Sequence, residues 1–169
     1  MHMAQAFLHP EQLQAYYDPF LMRDMELAVA RIRQAIESSE KIVVYGDYDV
    51  DGITSTTLLV RALRRLGATV DYYIPDRQEG YGLHIESLKK LADDGTGLVV
   101  TVDCGIAGTS EIDAMRGVID IIVTDHHLPG EALPNAAAVV DPHRSDCDYP
   151  FKDLAGVGVA FKLCQALFQ

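Results

Sequence analysis

The chain has little basic charge. Only 14 lysines and arginines stand against 25 aspartates and glutamates in 169 residues, a formal net charge of −11. That balance argues against a broad basic surface of the kind that grips nucleic acid through its phosphates. It does not exclude a phosphate-bearing substrate, because bound divalent cations invert the local field. No run of eighteen apolar residues occurs, so no membrane span is expected. The N-terminus lacks the charged-then-apolar layout of a signal, and its "MHM" reads as a cloning remnant. Cysteine is scarce: Cys104, Cys147 and Cys164 are an odd number with no C-x-x-C spacing. That pattern disfavours a disulfide framework and a structural zinc site, and it points to a reducing, cytoplasmic setting. There is no internal repeat and no low-complexity segment.

What is present is 49% apolar, enough for one good core and one domain. Residues 19–38 carry the first helical pattern, with Met25, Val29, Ile32 and Ile36 on one face. A short apolar strand over 42–45 follows, then an acidic loop and a helix near 54–66 that Gly67 ends. Strand patterns at 68–74, 97–103, 118–125 and 137–142 alternate with helices at 84–93, from about Ser110, and from Val159 onward. Alternation of this kind predicts an α/β fold, with a mostly parallel central sheet and helices on both faces.

The stretch "VVYGDYDVDGITS" (43–55) sets Asp47, Asp49 and Asp51 at every second position after a β-branched run. D-x-D-x-D-G also opens an EF-hand calcium loop, but that loop needs an acid at its twelfth position, which here is Leu58. It also needs a preceding helix, whereas "KIVVY" reads as a strand, so the calcium loop is rejected. Later apolar runs end on Asp103, on Asp125 followed by His126 and His127, and on Asp141. Each has a plain alternative: Asp47 as a helix cap, Asp103 as a turn former, the two histidines as surface residues. Asp141 before Pro142 reads more readily as a turn residue than as a ligand. In an open parallel sheet, however, ligands bind beyond the carboxyl ends of the strands. Acids that recur there, with one or two imidazoles, make a donor set suited to Mn²⁺ or Mg²⁺.

These residues carry a resemblance. "DVDG" with Asp49 and Asp51, "VTVDCG" with Asp103, and "DHH" at 125–127 are similar to the first three motifs of the DHH phosphoesterases. "YGDYDVDGITSTTLL" (45–59), "YYIPDRQEGYGL" (72–83) and "LAGVGVAFKL" (154–163) resemble the RecJ-type single-strand-specific exonucleases within that family. The likeness runs from "DPFLMRDM" (18–25) to the end. It implies a two-metal hydrolase that removes nucleotides from single-stranded DNA in the 5′→3′ direction, in repair and recombination. It implies that Asp49 and Asp103 hold one ion, with Asp47 beside them. Asp51, Asp103 and His126 then hold the second, and His127 meets the scissile phosphate. The other enzymatic expectation is a phosphodiesterase for short oligonucleotides or cyclic dinucleotides, and the non-enzymatic one is a scaffold that has lost catalysis.

By the same resemblance the chain is an N-terminal part: residues 1–17 are an extension and 18–169 the DHH-type domain. A fourth motif and a C-terminal domain are then expected beyond Gln169, and the fragment's own activity should be low or absent. Arg77, His143 and Arg144 are candidates for substrate phosphate. Arg144 has the competing option of pairing with Asp141 or Asp146. "GVG" at 156–158 either offers backbone N–H groups to an anion or permits tight packing.

Overall fold

The computed structural model describes residues 17–169, so nearly all of the extension expected over 1–17 lies outside the described residues. Tyr17 is described, and its ring meets that of Tyr149 edge-on with centroids 5.8 Å apart. The elements run as a single 3₁₀ turn Pro19–Leu21, α1 Met25–Glu37, β1 Lys41–Tyr45, α2 Val50–Arg65, β2 Val70–Tyr73 and α3 Ile85–Asp93. They continue as β3 Thr96–Val102, α4 Thr109–Ala114, β4 Asp120–Thr124, β5 Ala138–Val140 and α5 Gly156–Leu167. All four strand pairings are parallel, in the order β2-β1-β3-β4-β5.

Alternating residues along each inner strand feed two separate cores. Ile42, Val44, Leu98, Val100 and Ile122 pack with α1, α2 and α5. Val43, Tyr45, Val99, Ile121 and Val123 pack with α3 and α4 on the other face. This is why the strands read as unbroken apolar runs. Burial of each large aliphatic side chain contributes about 1.5–3 kcal/mol, so two cores can carry an electrostatically costly rim.

Three helix starts differ from the sequence expectation by three residues or more, and the strands at 70–73, 120–124 and 138–140 are shorter than the patterns read for them. The helix expected over 19–38 is broken, because Asp24 adopts a left-handed backbone (φ 62°) between the 3₁₀ turn and α1. Helix α2 begins at Val50 rather than near 54, because Asp49 caps it by accepting from Gly52 N–H at 2.9 Å. Helix α5 begins at Gly156, three residues before the expected Val159. The last two shifts bring helix N-termini to the carboxyl rim of the sheet. Gly67 does end α2: it has φ 83°, and Ala68 N–H donates to the Leu63 carbonyl.

Candidate metal centre

After β1 the chain crosses to β2 on one side, and β3 then joins β1 on the other. The loops that follow β1 and β3 therefore diverge and open a crevice at the point where strand order reverses. Asp47 and Asp49 lie on the first of these loops and Asp103 on the second. One oxygen from each of the three lies within 4.8 Å of the others. Asp103, His126 and His127 form a second such group, sharing Asp103. His126 Nε2 stands 3.1 Å from Asp103 Oδ1 and 3.7 Å from Asp51 Oδ2.

The backbone makes this approach possible. Asp103 takes a left-handed conformation (φ 61°), disfavoured for a residue with a side chain. Gly52 lies so close to the Asp47 backbone that an added Cβ would sit 2.5 Å from its carbonyl oxygen. At Gly156 a Cβ would collide with Asp103 Oδ1. Of the alternatives foreseen for "GVG", tight packing is the one the structure shows, and the N–H groups at 156 and 157 are taken by a side chain rather than left for a bound anion. Gly156 allows close packing, and the anion at the α5 N-terminus is the chain's own Asp51. Its two oxygens accept from Gly156 N–H and Val157 N–H, each at 2.7 Å.

The electrostatics are unbalanced toward negative charge. Among the described residues, no lysine or arginine forms an ion pair with Asp47, Asp49, Asp51, Asp103, Asp125 or Asp141. Burial pushes the Asp103 carboxyl up to about 7, and Asp51, Asp49 and Asp125 add to the rise. Burial also raises Asp47, offset in part by the Tyr48 backbone N–H. Asp47 Oδ1 and Asp103 Oδ1 are buried without a hydrogen-bond donor. His126 Nε2 comes near the latter without the alignment of a hydrogen bond. Buried, unsatisfied carboxylate oxygens that converge with an imidazole fit a divalent cation better than any arrangement of the chain's own donors.

The remaining sequence candidates have other surroundings. Asp125 is fully used: Oδ2 accepts from Ile106 N–H, and Oδ1 accepts from His126 N–H and meets His127 Nδ1 at 2.7 Å. It orients the histidines and is not among the clustered metal-ligating groups. Burial lowers the His127 pKa, but the Asp125 contact outweighs it and the net shift is upward. Its Nε2 has no hydrogen-bond partner among the described residues. His143 places Nδ1 at 2.6 Å from the His126 carbonyl, which braces the loop that carries His126. Asp141, pushed up to about 6 by burial, accepts from His143 N–H.

Arg144 corrects the phosphate expectation. It is buried, donates from Nε and Nη2 to Asp146, and uses Nη1 for Asp24 and the Val139 carbonyl. It is thus committed to Asp24 and Asp146 and closes the open edge of β5. Arg77 stays exposed, with its guanidinium 5.1 Å from the Tyr48 ring centroid, and its charge offsets a small part of the rise that burial gives Asp47. Sequence reasoning missed Tyr81, whose hydroxyl donates to the Asp103 carbonyl at 3.0 Å. The signal available was a tyrosine set between two glycines.

Known proteins are similar to this chain in sequence and fold. Residues 41–169 match the family model described as DHH family, N-terminal domain. The single-stranded-DNA-specific exonuclease RecJ of Bacillus subtilis (strain 168) is 49% identical over 166 residues, covering 97% of this chain and 21% of that protein. A crystal structure of exonuclease RecJ bound to manganese superposes with a TM-score of 0.79 at 40% identity, over 86% of this chain and 37% of that one. The structure of RecJ in complex with Mn²⁺ from Thermus thermophilus gives 0.72 at 36% identity, over 86% and 21%. This chain therefore spans about a fifth of the length of the Bacillus relative. From β1 to its last residue it carries the N-terminal domain that defines the DHH family, and it belongs to that family.

Proposed function

We propose that this chain is the metal-binding portion of a 5′→3′ exonuclease that acts on single-stranded DNA in repair and recombination. Asp103 carries the reading: it is buried, left-handed, lacks a donor for Oδ1, and stands between both ligand groups. In this reading Asp47, Asp49 and Asp103 hold one Mn²⁺ or Mg²⁺, and Asp51, Asp103 and His126 hold the other. With both ions bound, the site would supply neutralisation of the phosphate charge and a water acidic enough to act as nucleophile at neutral pH.

The chain's own groups do the rest. Asp125 holds His127 Nδ1–H, which leaves Nε2 to meet a non-bridging oxygen of the scissile phosphate. Arg77, exposed beside Tyr48 and near enough to act electrostatically on Asp47, neutralises a second phosphate of the strand. No side-chain nucleophile is needed. The names of the relatives support single-stranded DNA as substrate, and the manganese-bound RecJ structures support the choice of ion. A scaffold that had lost catalysis would have shed ligands, whereas all five positions here keep a competent one. All three cysteines are free and buried, which supports placing the protein in a reducing cytoplasm. Among the described residues no helix is long and apolar enough to cross a membrane.

The test is release of nucleotides by the complete protein that contains this domain. Single-stranded DNA with Mn²⁺ should be degraded from its 5′ end, while duplex DNA should persist and chelator should stop the reaction. Degradation that ignores strandedness, or that survives chelator, would overturn the reading.

A further inference from the structure

We propose that Tyr81 is a positioning residue whose single hydroxyl locks a metal-binding carboxylate and the phosphate-contacting histidine into one geometry. The inference rests on the metal-centre reading above. Tyr81 lies on the connection between β2 and α3, belongs to neither core, and is half exposed. Packing alone therefore does not account for it.

Its backbone placement is nonetheless tightly specified. Gly80 and Gly82 flank it with φ of 94° and 93°, conformations that side-chain-bearing residues rarely adopt. The carbonyl of Gly80 lies 3.2 Å from His84 Nε2, and that of Gly82 accepts from the buried Tyr45 hydroxyl at 3.3 Å. Two left-handed glycines and two pinned carbonyls hold Tyr81 at the apex of the loop.

From there it reaches both halves of the site. The hydroxyl donates to the main-chain carbonyl of Asp103 at 3.0 Å. That contact steadies the left-handed peptide which aims the Asp103 carboxylate at the crevice. The same oxygen lies 3.1 Å from His127 Nδ1, and the two rings meet edge-on at 5.7 Å and 72°. His127 Nδ1–H already points at Asp125 Oδ1, so Tyr81 and Asp125 bracket the imidazole and hold Nε2 as the nitrogen left for substrate. Partners behind the ligands that fix their orientation typically change metal affinity by about 10–100-fold when removed.

The experiment measures Mn²⁺ affinity calorimetrically on this chain, on Tyr81→Phe and on Tyr81→Leu, with metal-free melting recorded for each. We expect Tyr81→Phe to bind Mn²⁺ about tenfold more weakly while melting within a few degrees of the parent, and Tyr81→Leu to bind more weakly still. Parental affinity in Tyr81→Phe, or a loss in affinity that only follows a loss of folded protein, overturns the inference and leaves the metal centre standing. Failure of the parent chain to bind Mn²⁺ overturns the metal centre, and the inference falls with it.

Discussion

At Asp103 three unfavourable circumstances coincide: a left-handed backbone, burial, and neighbouring carboxylates. Each costs stability, and a bound cation would relieve the last two. Because the folded-state pKa, about 7, lies above the ordinary carboxylate value, the folded domain holds this proton more tightly than the unfolded chain does. The metal-free domain therefore keeps its full stability with respect to Asp103 below about pH 4. It loses that contribution progressively as pH rises to about 7. Asp103→Asn removes the titration. Metal-free thermal melts should show the variant gaining on the parent between pH 5 and pH 8, by an amount on the order of kilocalories; a difference independent of pH would contradict the assignment. The acids and His126 were legible as candidates because each lies at or within a few residues of the end of an apolar run, and parallel topology gathers strand ends. Tyr81 was not, since its partners Asp103 and His127 lie 22 and 46 residues away and its loop has no periodicity.

At the scale of elements, helix termini and one sheet edge have roles that periodicity could not disclose. The α5 N-terminus was expected three residues late, because "AGVG" is a weak helix opening and its cap is the distant Asp51. Strand β5 exposes an edge, and Asp24 and Arg144 satisfy it by binding Val139 N–H and C=O respectively. The sequence permitted a phosphate role for Arg144 equally well, since only the fold brings Asp24 within reach. Arg144→Ala should therefore destabilise the domain by about 2–3 kcal/mol in urea, through the unpaired Asp24 and Val139 carbonyl. Mn²⁺ affinity of the folded protein should change by less than about twofold, because the contacts are independent. A large loss of Mn²⁺ affinity with intact stability would contradict this purely structural role and tie Arg144 to the metal centre.

Over the whole molecule, the fold class, the parallel sheet and its covered faces were legible from alternation of apolar runs with helical patterns. Strand order was not: that β3 joins β1 opposite β2 is a pairing between segments far apart in sequence, which no local apolar pattern discloses. That order creates the crevice, and in the proposed reading part of the net charge of −11 that argued against a nucleic-acid surface becomes a cation cage. The central claim is that this cage binds metal. Its most direct measurement is the melting temperature of the chain and of Asp103→Ala with and without millimolar Mn²⁺. At a hundred times its Kd, one bound ion should stabilise the parent by about 2.7 kcal/mol, a rise of several degrees, and Asp103→Ala should show no rise. Equal melting of the parent with and without Mn²⁺ would contradict the account.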